Sequence, residues 1–216
     1  LIERALIDAF CRAKGQTFAR AVRDNTLGIA LGEIHPELAG RAPVELLPAQ
    51  PLRRIVLRHT VGLIDPLRAA DVTDDPADGL PVALEDCIRA QGLTHFKIKL
   101  CGDGARDLQR LTAAAEVVQA QCADYAFTLD GNEQYHDVAH FRAAWDAIAR
   151  APQLAEFMRR LIFVEQPLHR DAALTLDTAA ALRAWDARPP MIIDESDGEL
   201  VSLPAALSAG YAGTSH

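Results

Sequence analysis

Apolar residues recur along the second half of the chain in two alternating rhythms. Over 105–122, Leu108, Leu111, Ala115, Val118 and Cys122 follow at steps of three and four, the stripe of an amphipathic helix. Residues 137–150 repeat the device with Val138, Phe141, Trp145 and Ile148. Residues 80–91 carry Leu80, Leu84 and Ile88, with Pro81 near the start and Gly92 placed as a C-cap. A further helix is predicted over 172–186, after a short helical piece that follows 150. Between these stripes lie the short apolar runs "THFKIKLCG", "YAFTLD", "LIFVEQP" and "PMIIDES". Strands alternating with helices at this spacing imply βαβ units and a parallel sheet.

The first part of the chain is less regular. Ile2, Leu6 and Phe10 predict a helix broken at Gly15, and the proline- and alanine-rich stretch through "HPELAGRAPVELLPAQP" reads as loop. "RRIVLRHTVGLI", 53–64, is β-branched and strand-like, and the acidic "DVTDDPADG" after it reads as a solvated loop. The expected division is a helix and linker over 1–50 and a catalytic domain over 51–216.

The charged residues that close successive strands, Lys99, Asp130, Glu165 and Asp194, are spaced 31, 35 and 29 residues apart. One βαβ period is roughly 30 residues, so four strands finish with an ionisable group at the same end of the sheet. A doubly wound sheet gathers functional groups only at its switch point, whereas every strand of a (β/α) barrel contributes to one mouth. The fold class expected is therefore α/β, a partial TIM-like (β/α) barrel of about strands one to six.

Composition narrows the partners. The chain has 216 residues, half of them hydrophobic, and a net charge of −8. That balance argues against nucleic acid and anionic membrane surfaces, which call for concentrated Lys and Arg. No apolar run approaches a membrane span. Cys11, Cys87, Cys101 and Cys122 are scattered without a CxxC pair, which suits reduced thiols in the cytoplasm.

Lys97 and Lys99 sit two apart between Phe96, Ile98 and Leu100, so they share one face of a strand. With Asp130, Glu165 and Asp194 they would share one mouth. Three ionised carboxylates need a cation between them, and hard oxygen donors suit Mg²⁺, with Mn²⁺ acceptable. Beside a divalent cation the lysine pKa values should fall, and one amine can then act as a base near neutral pH. This suits proton abstraction next to a carboxylate, giving an enediolate. His136 and His140 read as a surface pair and Cys101 as packing, while Arg58 and His59 are candidates to reach the mouth.

The order "KIK", "LDGNEQY", "FVEQP", "IIDES" resembles the enolase superfamily, in its mandelate racemase and muconate-lactonizing-enzyme branch, and "ALIDAFCRAKGQTF" resembles the segment before the barrel in those proteins. The resemblance implies Asp130, Glu165 and Asp194 as Mg²⁺ ligands, Lys99 as the base, Lys97 as the cation steadying the substrate carboxylate, and Asn132 as support for the metal site. It implies a small carboxylate substrate, racemisation or epimerisation, cycloisomerisation or dehydration as the outcome, and a homo-oligomer at full length. The family's capping domain, its strand-six lysine and strands seven and eight are not found here, and "GYAGTSH" would be the sixth strand. The remainder is expected to belong to the same natural polypeptide. The alternative is a catalytically silent relative that keeps the barrel as a binding or assembly scaffold.

Overall fold

Six parallel strands form one sheet in the order in which they occur along the chain, in a computed structural model that describes residues 1–215. They are β1 (Arg58–Val61), β2 (His95–Lys99), β3 (Ala126–Asp130), β4 (Leu161–Glu165), β5 (Met191–Ile193) and β6 (Gly213–Thr214). Sequential order without reversal is that of a (β/α) barrel rather than a doubly wound sheet. β1 and β6 are the two edges, so the fold is a partial barrel.

The chain divides into two compact units, Leu1–Ile55 and the part from Val56 onward. The first holds α1 (Ile2–Ala13) and α2 (Phe18–Arg23), the latter capped by the Thr17 hydroxyl, which accepts from the Arg20 amide. Of the stripe expected on α1, Ile2 and Leu6 are exposed, and Cys11 is the buried residue of that helix. The stretch read as loop contains three 3₁₀ turns, at Leu31–Glu33, Pro36–Leu38 and Pro43–Leu46. Two of them open on proline, whose fixed φ suits a first helical position.

In the second unit the helices are α3 (Leu84–Gln91), α4 (Gly104–Gln121), α5 (Val138–Ala149), α6 (Ala155–Met158), α7 (Arg170–Ala173), α8 (Leu176–Arg183) and α9 (Ser202–Ala209). Asp103 caps α4 by accepting from the amides of Ala105 and Arg106, and Asp137 caps α5 by accepting from His140. Gly92 closes α3 at φ 61°. Phe96, Ile98, Phe127, Leu129, Val164 and Met191 on the sheet pack with Leu111, Val118, Phe141 and Leu182 on the helices, which puts the core between the two layers. Phe157 stacks on Phe127 with ring centroids 4.1 Å apart.

Three expectations change in detail. The strand read over 53–64 is ordered only from Arg58 to Val61, because β2 starts at His95, opposite Arg58, and earlier residues have no ladder to join. The helix read over 80–91 starts at Leu84 and leaves Leu80 exposed. The helix read over 172–186 is two, because the Thr175 hydroxyl caps a fresh start by accepting from the Thr178 amide. The expected sixth strand, 210–216, contains β6, and its last residue His216 lies outside the described residues.

Asp107 on α4 is 2 % exposed and closes the loop that follows β2. Its carboxylate accepts from the amides of Cys101 and Gly102 at 2.8 and 3.1 Å and from the Tyr135 hydroxyl at 3.1 Å. Asp107→Ala strands three donors, so chemical denaturation of the full chain should show a loss of about 1–3 kcal/mol; unchanged stability would mean that water satisfies them.

Candidate functional site

The register of the sheet assembles the site. Lys99 lies opposite Asp130 on β3, and Asp130 lies opposite Glu165 on β4. The second pairing depends on an irregularity: Phe127 and Leu129 pair with Leu161 and Val164, so β4 spends one extra residue there. Without that bulge the residue beside Asp130 would be Val164, and a one-residue slip sends side chains to the other face. The bulge brings Glu165 beside Asp130.

Asp130 and Glu165 are closed off, with side chains 0 and 2 % exposed. Lys97 Nζ lies 2.7 Å from Asp130 Oδ2 and 2.7 Å from Glu165 Oε1, and Lys99 Nζ is also 2.7 Å from Asp130 Oδ2. Lys99 further donates to Asn132 Oδ1. The Asn132 amide donates to Asp130 Oδ1 at 2.9 Å, and its side-chain Nδ2 donates to Glu195 Oε1 at 2.9 Å. Arg58 reaches in from β1, donating to Thr128 Oγ1 at 3.1 Å and to Glu165 Oε2 at 3.5 Å, with its guanidinium over the Phe163 ring. His59, the next residue, is placed on the opposite face by strand alternation.

The structure thus brings Lys97, Lys99, Asp130, Glu165 and Asn132 together. Asp194 lies one residue beyond β5, where its carboxylate accepts from Ser215 Oγ at 2.7 Å. Among the described residues no three His, Cys, Asp or Glu side chains are grouped as a metal cluster. The donor chemistry nevertheless fits a hard divalent cation. Asp130 and Glu165 offer buried oxygens on either side of a point already held by the Lys97 ammonium, and Glu195 Oε2 is buried without a hydrogen-bond partner.

Burial opposes the charge on Lys97, but hydrogen bonds to Asp130 and Glu165 outweigh it and the pKa is raised. The expected fall is the effect of a divalent cation as neighbour; the two carboxylates act on the ammonium with the opposite sign. Burial also opposes ionisation of Asp130, yet hydrogen bonds from Lys97, Lys99 and the Asn132 amide hold its pKa below the usual range.

Loops after β3 and β4 run against each other closely: a Cβ on Gly131 would meet Pro167 Cα at 2.5 Å. Gln166 within the second loop is completely buried. Neither Gln166 nor Glu195 stands out in the sequence; the one available signal is a polar residue wedged between the strand-ending Glu165 and Pro167. His136 and His140 are exposed, and His140 Nε2 contacts the Gly102 carbonyl at 3.2 Å. Burial pushes the Cys101 thiol up, which suits packing rather than reactivity. No helix among the described residues is long and apolar enough to cross a membrane.

A family model described as enolase C-terminal domain-like matches residues 81–214. No curated protein matches the chain. Among solved structures, a mandelate racemase/muconate lactonizing protein from Herpetosiphon aurantiacus is 25 % identical over 59 % of this chain and 32 % of its own, with a TM-score of 0.45. A mandelate racemase/muconate lactonizing enzyme from Roseiflexus sp. is 21 % identical over 58 % of this chain and 33 % of its own, with a TM-score of 0.43. The chain spans about a third of the length of these structures.

Proposed function

The chain belongs to the enolase C-terminal domain-like family, and from that premise we propose that it carries the chemical site of an enzyme that removes the α-proton of a small carboxylate substrate, with Mg²⁺ as cofactor. The observation that carries this reading is the convergence of Lys97 and Lys99 on the buried Asp130 and Glu165 at the C-terminal ends of three adjacent strands. Two buried like charges are unfavourable for a protein that only needs to fold, and their retention favours catalysis over a scaffold role. Asp130, Glu165 and Asp194 would hold the ion, with Asn132 bracing Asp130. When bound, Mg²⁺ supplies positive charge against the negative charge that develops on the substrate carboxylate. Lys99 takes the proton from the α-carbon, and the Lys97 ammonium donates to a carboxylate oxygen. Racemisation or epimerisation, cycloisomerisation or dehydration then depends on where a proton returns or which group leaves.

The test is solvent-deuterium incorporation. The full chain, incubated in D₂O with pooled acid sugars, dipeptides and N-acyl amino acids, should place deuterium at the α-carbon of one class. EDTA should abolish incorporation, and Mg²⁺ or Mn²⁺ should restore it. Incorporation that persisted at the same rate in EDTA would sink the metal-dependent reading. Tight Mg²⁺ binding without exchange in any class would favour the silent scaffold.

A further inference from the structure

Gln166 ties three strand ends together through one buried residue. Its main-chain carbonyl accepts from the Glu133 amide at 2.9 Å, after β3, and its own amide donates to the Ile192 carbonyl of β5 at 2.9 Å. The side chain does the rest. Oε1 accepts from the Asp194 amide at 2.8 Å and the Ser196 amide at 3.2 Å, while Nε2 donates to the Leu168 carbonyl at 2.7 Å and to Ser196 Oγ at 2.8 Å. Both ends of the amide are therefore used, and the side chain is sealed from water. The residue also sits at φ 32°, a backbone region that side chains with a Cβ seldom adopt and keep only where the surroundings impose it.

A purely structural latch could join these loops anywhere. This one is the residue immediately after Glu165 and bonds directly to the main chain of Asp194. Beyond the β4–β5 ladder, this side-chain amide is what fixes the main chain of Asp194 relative to Glu165. We propose that Gln166 is the positioning residue that sets Asp194 against Glu165, giving the site the fixed spacing a small octahedral cation demands. The inference rests on the metal-site reading above and extends it to a residue that touches neither ion nor substrate. Mg²⁺ requires near-ideal octahedral geometry at about 2.0–2.1 Å, whereas Ca²⁺ accepts looser and more numerous ligands. Loss of positioning should therefore weaken Mg²⁺ more than Ca²⁺, a selectivity change that simple destabilisation of a folded chain does not produce.

The experiment is calorimetric titration of the full chain with Mg²⁺ and with Ca²⁺, well below the melting temperature, for the parent, Gln166→Met and Glu165→Gln. Gln166→Met keeps the length and removes all four side-chain hydrogen bonds. Its Mg²⁺ affinity should fall about 10–100-fold, the usual effect of losing a residue that orients a ligand, and its Ca²⁺ affinity should fall less. Parental Mg²⁺ affinity in folded Gln166→Met, or equal losses for both ions, would overturn the inference while leaving the site reading in place if Glu165→Gln has lost Mg²⁺. Unchanged affinity in Glu165→Gln would overturn the site reading itself. Should Gln166→Met not fold, Ser196→Ala removes only one acceptor of Nε2 and should lower Mg²⁺ affinity about threefold, on the scale of one neutral hydrogen bond; no change there would also overturn the inference.

Discussion

Glu165→Gln is expected to weaken Mg²⁺ binding about 100-fold or more and to abolish α-proton exchange, while the chain stays folded. Glutamine keeps the shape and one oxygen acceptor but removes a formal negative charge from a position 2 % exposed, where little water is present to compensate. The fold should survive for two local reasons. Lys97 retains Asp130 at 2.7 Å and can still donate to the amide oxygen, so its ammonium is not stranded. Arg58 is about a third exposed and keeps Thr128 as an acceptor. The hydrophobic cluster that joins sheet and helices contains none of these residues. Calorimetry with Mg²⁺, beside circular dichroism and a thermal melt, decides the matter; undiminished Mg²⁺ affinity in a folded variant would remove Glu165 from the metal site.

The parts of this arrangement that sequence can show are those set by local period. β2 was readable because Phe96 and Ile98 alternate with Lys97 and Lys99, and a strand with one buried face has no other way to lie. α4 and α5 were readable from their stripes, while the caps at Asp103 and Asp137 emerged only with the fold. What sequence could not show depends on a neighbour. The pairing of Asp130 with Glu165 needs a bulge in β4, and no residue in "LIFVE" announces one. The first half of "RRIVLRHTVGLI" carries strand residues but faces no partner, so its β-branched side chains stay exposed. Gln166 looks like an ordinary loop residue until β5 and the chain after it are folded against it. The sign of the Lys97 shift is another property of surroundings: the same ammonium is raised by flanking carboxylates and would be lowered by a divalent cation.

The two lysines should separate in function when each is removed. Lys97 and Lys99 share a face, but Lys99 lies two residues, about 6.6 Å, further toward the C-terminal ends of the strands. Their surroundings differ accordingly. Lys97 is 15 % exposed and clamped between Asp130 and Glu165, whereas Lys99 is 25 % exposed and bonded to Asp130 and Asn132. On the proposed reading the outer amine would meet an α-carbon arriving from solvent, and the inner one would hold charge. Lys99→Ala should therefore lose α-deuterium exchange from one stereoisomer by about 10²–10⁴-fold, the range for a missing general base. Exchange from the opposite face should persist to the extent that a second base serves it. Lys97→Ala should instead slow exchange from both faces alike, because a cation on the substrate carboxylate stabilises the same enediolate whichever side lost the proton. It should also leave Asp130 and Glu165 facing each other with fewer positive partners, so its Mg²⁺ affinity should rise while its exchange rate falls. Lys99→Ala removes a cation from Asp130 alone, so its rise in Mg²⁺ affinity should be the smaller of the two. The measurement is proton exchange in D₂O followed separately for each enantiomer by NMR, beside Mg²⁺ titration of both variants. Equal loss from both enantiomers in Lys99→Ala would deny it the role of base and leave both lysines as electrostatic support for the carboxylates.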